Sequence, residues 1–212
     1  MRLVVEDLVF AHPGAPPLLD RLSLTAVMGE SVAIIGPSGS GKTTLLALVG
    51  GLLRSGGGRI TLVDGERELP VRGNVSWVLQ TVNVLSDRSV VDNIAVGAYA
   101  DGLDREAALE RARAALDAVG LAGQGHRDIR TLSGGEAQRA VIARATVSDR
   151  PVLLADEPTG QLDRDTSAAV IDTLLGAASA KITLVVTHDP AVAARCSRTL
   201  TLGGGTLTAV RP

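Results

Sequence analysis

The chain has 212 residues, 45% of them apolar and 21% charged, which suffices for one globular domain with a buried core and is too apolar for a disordered tail. A net charge of -2 supplies no basic field for nucleic acid or an acidic lipid surface, so no nucleic-acid partner is expected. One cysteine, Cys196, cannot close an internal disulfide, no apolar leader opens the chain, and the longest apolar run, Leu45 to Leu53, falls far short of the roughly 18 residues of a membrane span; a reducing cytosol is the expected compartment.

In chain order, Leu3 to Phe10 and Leu22 to Ala26 read as a β pair separated by His12-Pro-Gly-Ala-Pro-Pro17, whose prolines and glycine mark a turn. Ser31 to Ile35 is a short β-branched run of the buried parallel type, followed by a glycine loop and a helix from Thr44 to Gly51. Arg54-Ser55 and the glycines at 56–58 read as a flexible turn, because neither a lysine nor a helix follows them. Arg59 to Val63 and Val75 to Leu79 are expected strands around Asp64-Gly65, and Trp77 is expected to pack under the sheet. The clearest helix runs from Asp104 to Val119 and ends at Gly120. A helix from Ser133 to about Thr146, the strand Val152 to Ala155, a helix from about Thr166 to Ala178, the strand Ile182 to Thr187 and a strand pair around Gly203 to Gly205 complete the pattern. Alternating apolar strands and helices predict a parallel sheet covered on both faces. With aromatics limited to Phe10, Trp77 and Tyr99, the core has to be Leu, Val, Ile and Ala, and Cys196 is expected to act as a small hydrophobe.

Three motifs carry chemistry. Gly36-Pro-Ser-Gly-Ser-Gly-Lys42-Thr43 fits GxxxxGK[ST], placed after a buried strand and at a helix start. Its glycines let backbone N–H groups turn inward around phosphate, Lys42 supplies a point charge for the β and γ phosphates, and Thr43 offers a hydroxyl to Mg²⁺. Val152 to Ala155 ends in Asp156-Glu157, whose side chains, as strand neighbours, are expected to point apart. Asp156 suits Mg²⁺, directly or through water, and Glu157 suits orienting or deprotonating an attacking water. Ser133 and Glu136 are spaced as a capping box, and Gly134 and Gly135 add exposed N–H groups there, a second anion site.

With these motifs in this order, the sequence resembles the nucleotide-binding subunit of an ABC transporter over almost its whole length. Gly36 to Thr43 corresponds to the Walker A loop, Leu132 to Arg139 to the family signature, and Val152 to Pro158 to the Walker B strand with its following glutamate. Gln80 falls at the Q-loop, Gln161-Leu-Asp163 at the D-loop and His188 at the switch histidine. The resemblance implies an α/β fold: a P-loop NTPase core with a mostly parallel sheet, an N-terminal antiparallel β subdomain and an inserted α-helical subdomain. A single domain over 1–212 would place the core and β subdomain at about 1–80 and 148–212 and the insertion at about 81–147.

The implied cofactors are ATP and Mg²⁺. Gly36, Pro37, Ser38, Gly39, Ser40, Gly41, Lys42, Thr43 and Thr44 would hold the nucleotide, Thr43, Gln80 and Asp156 the metal, and Glu157 and His188 would be catalytic. Two subunits would meet head to tail, Ser133, Gly134, Gly135 and Asp163 of one completing the ATP site of the other. His12 stands where the family usually has an adenine-stacking tyrosine, and either it stacks on adenine or Phe10, on the same strand face, supports it from the core. The implied partners are a second ABC subunit and integral membrane permease subunits, with this chain peripheral at the inner face of the membrane and the segment from Thr81 to Asp92 transmitting force. Within the family, Ala155 to Asp163 resembles the lipoprotein-release, macrolide-export and cell-division subgroup, with Gln161 at a usual Asn. The function is then either transport or extraction, or mechanical regulation that moves nothing through the membrane.

Overall fold

The computed structural model describes residues 1–210; the last two residues of the expected domain lie outside the described residues. β1 (Arg2–Ala11), β2 (Pro17–Val27), β4 (Gly57–Asp64) and β5 (Arg67–Pro70) form an antiparallel sheet in the order β2-β1-β4-β5. The second sheet uses β3 (Ser31–Ile35), β6 (Val75–Val78), β7 (Val152–Asp156), β8 (Ile182–Val186), β9 (Arg198–Gly203) and β10 (Thr206–Ala209) in the order β10-β9-β3-β8-β7-β6. All its pairings are parallel except the edge pair of β9 with β10. This is the P-loop NTPase arrangement that the resemblance implied.

Strand alternation decides which layer each core residue joins. Val152, Leu154, Ile182, Leu184 and Val186 pack with Leu3, Leu22, Leu62 and helix α1 (Lys42–Val49), between the two sheets. Leu153, Ala155 and Val185 face the other way, into a cluster with α2 (Val90–Tyr99), α3 (Arg105–Ala118), α4 (Gly134–Thr146) and α5 (Arg164–Ala177). Both faces of the central strands are thus dry, which is why they read as unbroken apolar runs.

Several boundaries depart from the sequence reading. The hairpin across Asp64-Gly65 closes on β5, while Val75–Val78 belongs to the other sheet. Gly57 and Gly58 are not a free turn but the start of β4. There β1 and β4 slip register between Glu6 and Val9, and Gly58, at φ 80°, leaves no room for a β-carbon beside the Glu6 and Asp7 carbonyls. Pro17 is tolerated as the first residue of β2. Trp77 lays its ring edge on Gly50, where a β-carbon would overlap it.

Helix α2 and the short α6 (Pro190–Ala193) had no sequence signal. The α2 residues are poor helix formers in isolation, and tertiary contacts override that weakness. Ser89 caps the helix by accepting from the Asp92 N–H. Asn93, 1% exposed, bonds Leu85 N and O and the Ser89 carbonyl, while Ile94, Ala95 and Ala98 are buried.

An ionic knot ties these helices to the sheet. Asp101 accepts from Ser148 Oγ at 2.8 Å and Asp149 N at 2.7 Å, with the guanidinium groups of Arg111 and Arg150 at 3.9 and 3.8 Å. Buried Lys181 donates to the Ser148 and Arg150 carbonyls, each at 2.6 Å, and its burial pushes the ammonium pKa down.

Candidate functional site

The glycine loop joins the carboxyl end of β3 to α1, the edge at which parallel sheets bind ligands. Gly36 passes so close to the Leu202 carbonyl that no β-carbon fits, and Gly41, at φ 98°, turns the chain into α1 with no side-chain cap. The first N–H groups of α1 are therefore left for an external acceptor, and no acidic side chain occupies that turn to compete. Lys42 folds back over the loop: Nζ donates to the Gly36 carbonyl at 2.9 Å and the Pro37 carbonyl at 3.0 Å. Ser40 Oγ is buried without a hydrogen-bond partner.

At the end of β7, Asp156 Oδ1 accepts from Thr43 Oγ1 at 3.2 Å. Burial is the main cause that raises the Asp156 carboxyl pKa, and the neighbouring Glu157 charge adds to it. A cation bound there would offset both effects. Thr43 and Asp156 offer two oxygens side by side, the small donor set that Mg²⁺ uses when phosphates and waters complete its shell, so the residues present fit that ion. Among the described residues no cluster of three or more His, Cys, Asp or Glu forms an all-protein metal cage.

Glu157 differs from the sequence reading. β7 ends at Asp156, and Glu157 sits at φ 45°, so a left-handed turn rather than strand pleating sets its direction. That conformation is costly for a non-glycine residue and is held by the Glu157 N–H bond to the Val186 carbonyl at 2.9 Å. Its carboxylate meets His188 twice: Nδ1 lies 2.9 Å from Oε1, and the His188 N–H donates to Oε2 at 3.3 Å. Glu157 keeps 14% of its side chain exposed and His188 71%, so the histidine faces solvent over a sheltered carboxylate.

One open cavity of about 490 Å³ is lined by His12, Leu18, Ser38, Gly39, Gly41, Lys42, Thr43, Thr44, Gln80, Glu157, Val186 and His188, while Gly36, Pro37, Ser40 and Asp156 are not among its lining residues. His12 reaches its rim with the Phe10 ring edge-on at 5.0 Å, so Phe10 does brace it from the core side. Leu18 and Val186 were not foreseen. Leu18 packs against Gly41, and only the alternation of β2 signals it.

Ser133, Gly134, Gly135 and Asp163 do not line this cavity. Ser133 begins α4 with a full capping box, its Oγ accepting from Glu136 N at 3.3 Å and its N–H donating to Glu136 Oε2 at 2.8 Å. That backbone donor is the first cause holding the Glu136 carboxyl below its ordinary pKa. Gly135 is packed so tightly that a β-carbon would come within 2.5 Å of Thr166 Cγ2. Asp163 caps α5, accepting from Asp165 N, Thr166 N and Thr166 Oγ1, and the Thr166 hydroxyl is the main cause that lowers its pKa. The Gln80 amide nitrogen lies over Gly160, 3.2 Å from where a β-carbon would be. No helix among the described residues is long and apolar enough to cross a membrane.

The ABC transporter family model matches residues 19–160. The lipoprotein-releasing system ATP-binding protein LolD of Chromohalobacter salexigens is 40% identical over 201 residues, covering 90% of this chain and 85% of that protein. The macrolide export ATP-binding/permease protein MacB of Rhodospirillum rubrum is 41% identical over 196 residues, which span 88% of this chain but 30% of that longer protein. Among solved structures, the dimeric bacterial ABC transporter cassette MJ0796 superposes with a TM-score of 0.79 at 27% identity, covering 99% of both chains. A post-hydrolysis form of the same cassette, bound to ADP and Pi, gives a TM-score of 0.80 at 26% identity.

Proposed function

The chain belongs to the ABC transporter family as an ATP-binding ATPase, and from that premise we propose that it closes as a dimer on two ATP molecules and drives integral membrane permease subunits from the inner face of the membrane. One observation supports this reading: a single chain gathers Lys42, Thr43, Gln80, Glu157 and His188 around one cavity, yet leaves Ser133, Gly134 and Gly135 outside it. A second copy, meeting the first head to tail, would bring that helix start to the phosphates, as the dimeric assembly of the related cassette supports. Asp163 would approach the same junction from α5.

In the proposed cycle the N–H groups of the loop and Lys42 Nζ bind the phosphates, and His12 and Leu18 bound the nucleoside end of the cavity. Thr43 and Asp156, with Gln80 at the rim, would hold Mg²⁺, which when bound supplies charge neutralisation for the phosphates. Glu157 Oε1 and Oε2, fixed by His188, orient the attacking water and accept its proton. ATP moves the partners only through its stronger affinity for the closed dimer, since equal binding to both states shifts nothing.

The relatives named for lipoprotein release match along most of their length, which favours extraction or transport coupled to a membrane complex of that type over mechanical regulation alone. The test is Glu157→Gln with ATP and Mg²⁺. Turnover should fall about 10²- to 10⁴-fold, about 2.7 to 5.5 kcal/mol of barrier, while size-exclusion shows an ATP-bound dimer. A variant that stays monomeric at saturating ATP, with and without membrane partner, would end the shared-site reading.

A further inference from the structure

Among the described residues, Gln138 is the one side chain on the signature helix that hydrogen-bonds the backbone next to Glu157. It lies on α4 four residues beyond Gly134, hence on the same helix face, and is 2% exposed. Its Nε2 donates to the Pro158 carbonyl at 2.8 Å. Pro158 is itself buried and follows Glu157 directly, so this bond anchors the segment that keeps Glu157 in its left-handed conformation. The backbone ties of Glu157 run to the sheet and along its own turn, through Val186 and Gly160, its carboxylate is tied to His188, and none of these reaches α4.

The other end of the same amide is unsatisfied. Gln138 Oε1 is buried with no hydrogen-bond partner, an uncommon and unfavourable condition that asks for a reason. Gln138 itself lines a small chamber of about 60 Å³ with Gln80, Val82, Gly134, Pro158, Gln161 and Leu162. Two further glutamines, each carrying an amide donor, therefore line the same chamber as the residue with the unpaired acceptor.

We propose that Gln138 is a positioning residue that sets Glu157 according to the placement of the signature helix. This rests on the shared-site reading above, in which that helix start contacts the nucleotide of the opposite subunit. A shift of α4 on closure moves the Pro158 carbonyl through Nε2, and with it the Glu157 carboxylate. The free oxygen gives the bridge a second setting when a glutamine amide of the chamber donates to it. Chemistry in one site thereby waits on nucleotide held by the other.

Two variants test it by ATP turnover with Mg²⁺ and a third by ATP-induced dimerisation. Gln138→Leu should lower kcat at least tenfold while ATP affinity stays within threefold of wild type. Gln138→Glu separates positioning from packing: burial raises its pKa, the protonated carboxyl can donate to Pro158, and the ionised one cannot. Its kcat relative to wild type should therefore fall as pH rises from 6 to 9, while the ratio for Gln138→Leu stays flat. A Gln138→Leu kcat within twofold of wild type, or a flat ratio for Gln138→Glu, overturns the proposal; should the leucine variant not fold, the glutamate ratio decides alone. In the third variant, Gln138→Leu joined to Glu157→Gln, ATP should still induce dimers, and loss of dimers that Glu157→Gln alone forms counts against positioning. If Glu157→Gln alone never dimerises, the shared-site reading fails, and the pH ratio still decides whether Gln138 sets Glu157 within its own chain.

Discussion

Replacing Gly97 by alanine perturbs the closest approach between α2 and α4. A β-carbon at Gly97 would come 2.7 Å from Val147 Cγ1, against 3.4 Å for ordinary contact, a deficit of 0.7 Å, and would overlap the Arg144 carbonyl as well. Arg144 O is backbone inside a helix, so it cannot swing aside as a flexible side chain would. The two helices have to part, loosening Ile94, Ala98 and Val141 in the shared core. Because the overlap is with backbone, overpacking costs about 2–3 kcal/mol, the upper part of its usual range, and alanine returns about 1 kcal/mol in helix propensity, leaving a net loss of about 1–2 kcal/mol. At about 2–4 °C per kcal/mol for a chain of this size, Tm should drop by about 2–8 °C in calorimetric melts without nucleotide. Gly176→Ala is the matched control, since Gly176 is exposed in the last turn of α5 with nothing within 4 Å of the added carbon. It should gain about 0.5–1 kcal/mol from backbone entropy. Equal or higher Tm for both variants would refute the close-packed account of α2 and α4.

Lys42→Ala should abolish measurable ATP turnover and also soften the loop, because the Gly36 and Pro37 carbonyls lose their donor; wild-type ATPase in that variant would remove the phosphate-loop assignment. Cys196 should resist alkylation in the native protein, since burial pushes its thiol up to about 11. At pH 8 that leaves about 100-fold less thiolate than a free cysteine of pKa 9.0, with the rate still climbing tenfold per pH unit toward 11. Iodoacetamide labelling at the free-thiol rate would contradict this.

The sequence made local features legible and left distant contacts unreadable. The loop, the capping box at Ser133 and the apolar strands announce themselves because each is defined by residues adjacent in the chain. Glu157 with His188 and Gly36 against Leu202 are juxtapositions across sheet neighbours, Thr43 with Asp156 joins α1 to β7, and spacing alone does not encode them. Asp156 and Glu157 read as diverging strand neighbours; in the structure Asp156 meets Thr43 and Glu157 meets His188, and a left-handed turn that no composition signal marks sets the direction of Glu157. Helix α2 was invisible because Asn93, Gly97 and three valines weaken its intrinsic preference, and only burial against α3 and α4 makes it form. Gln138 lies inside the signature motif, but nothing nearby in the chain points to its bond with Pro158.

The fold-back of Lys42 onto its own loop has a kinetic and energetic corollary. An arriving triphosphate meets a cradle already bent to shape by an internal brace, so little ordering entropy is spent on docking. An ammonium has three N–H groups, and two point at carbonyls, so one can greet an anion before either brace lets go. Capture can thus be quick and nearly rigid, leaving most of the interaction free energy for the large-scale rearrangement that follows.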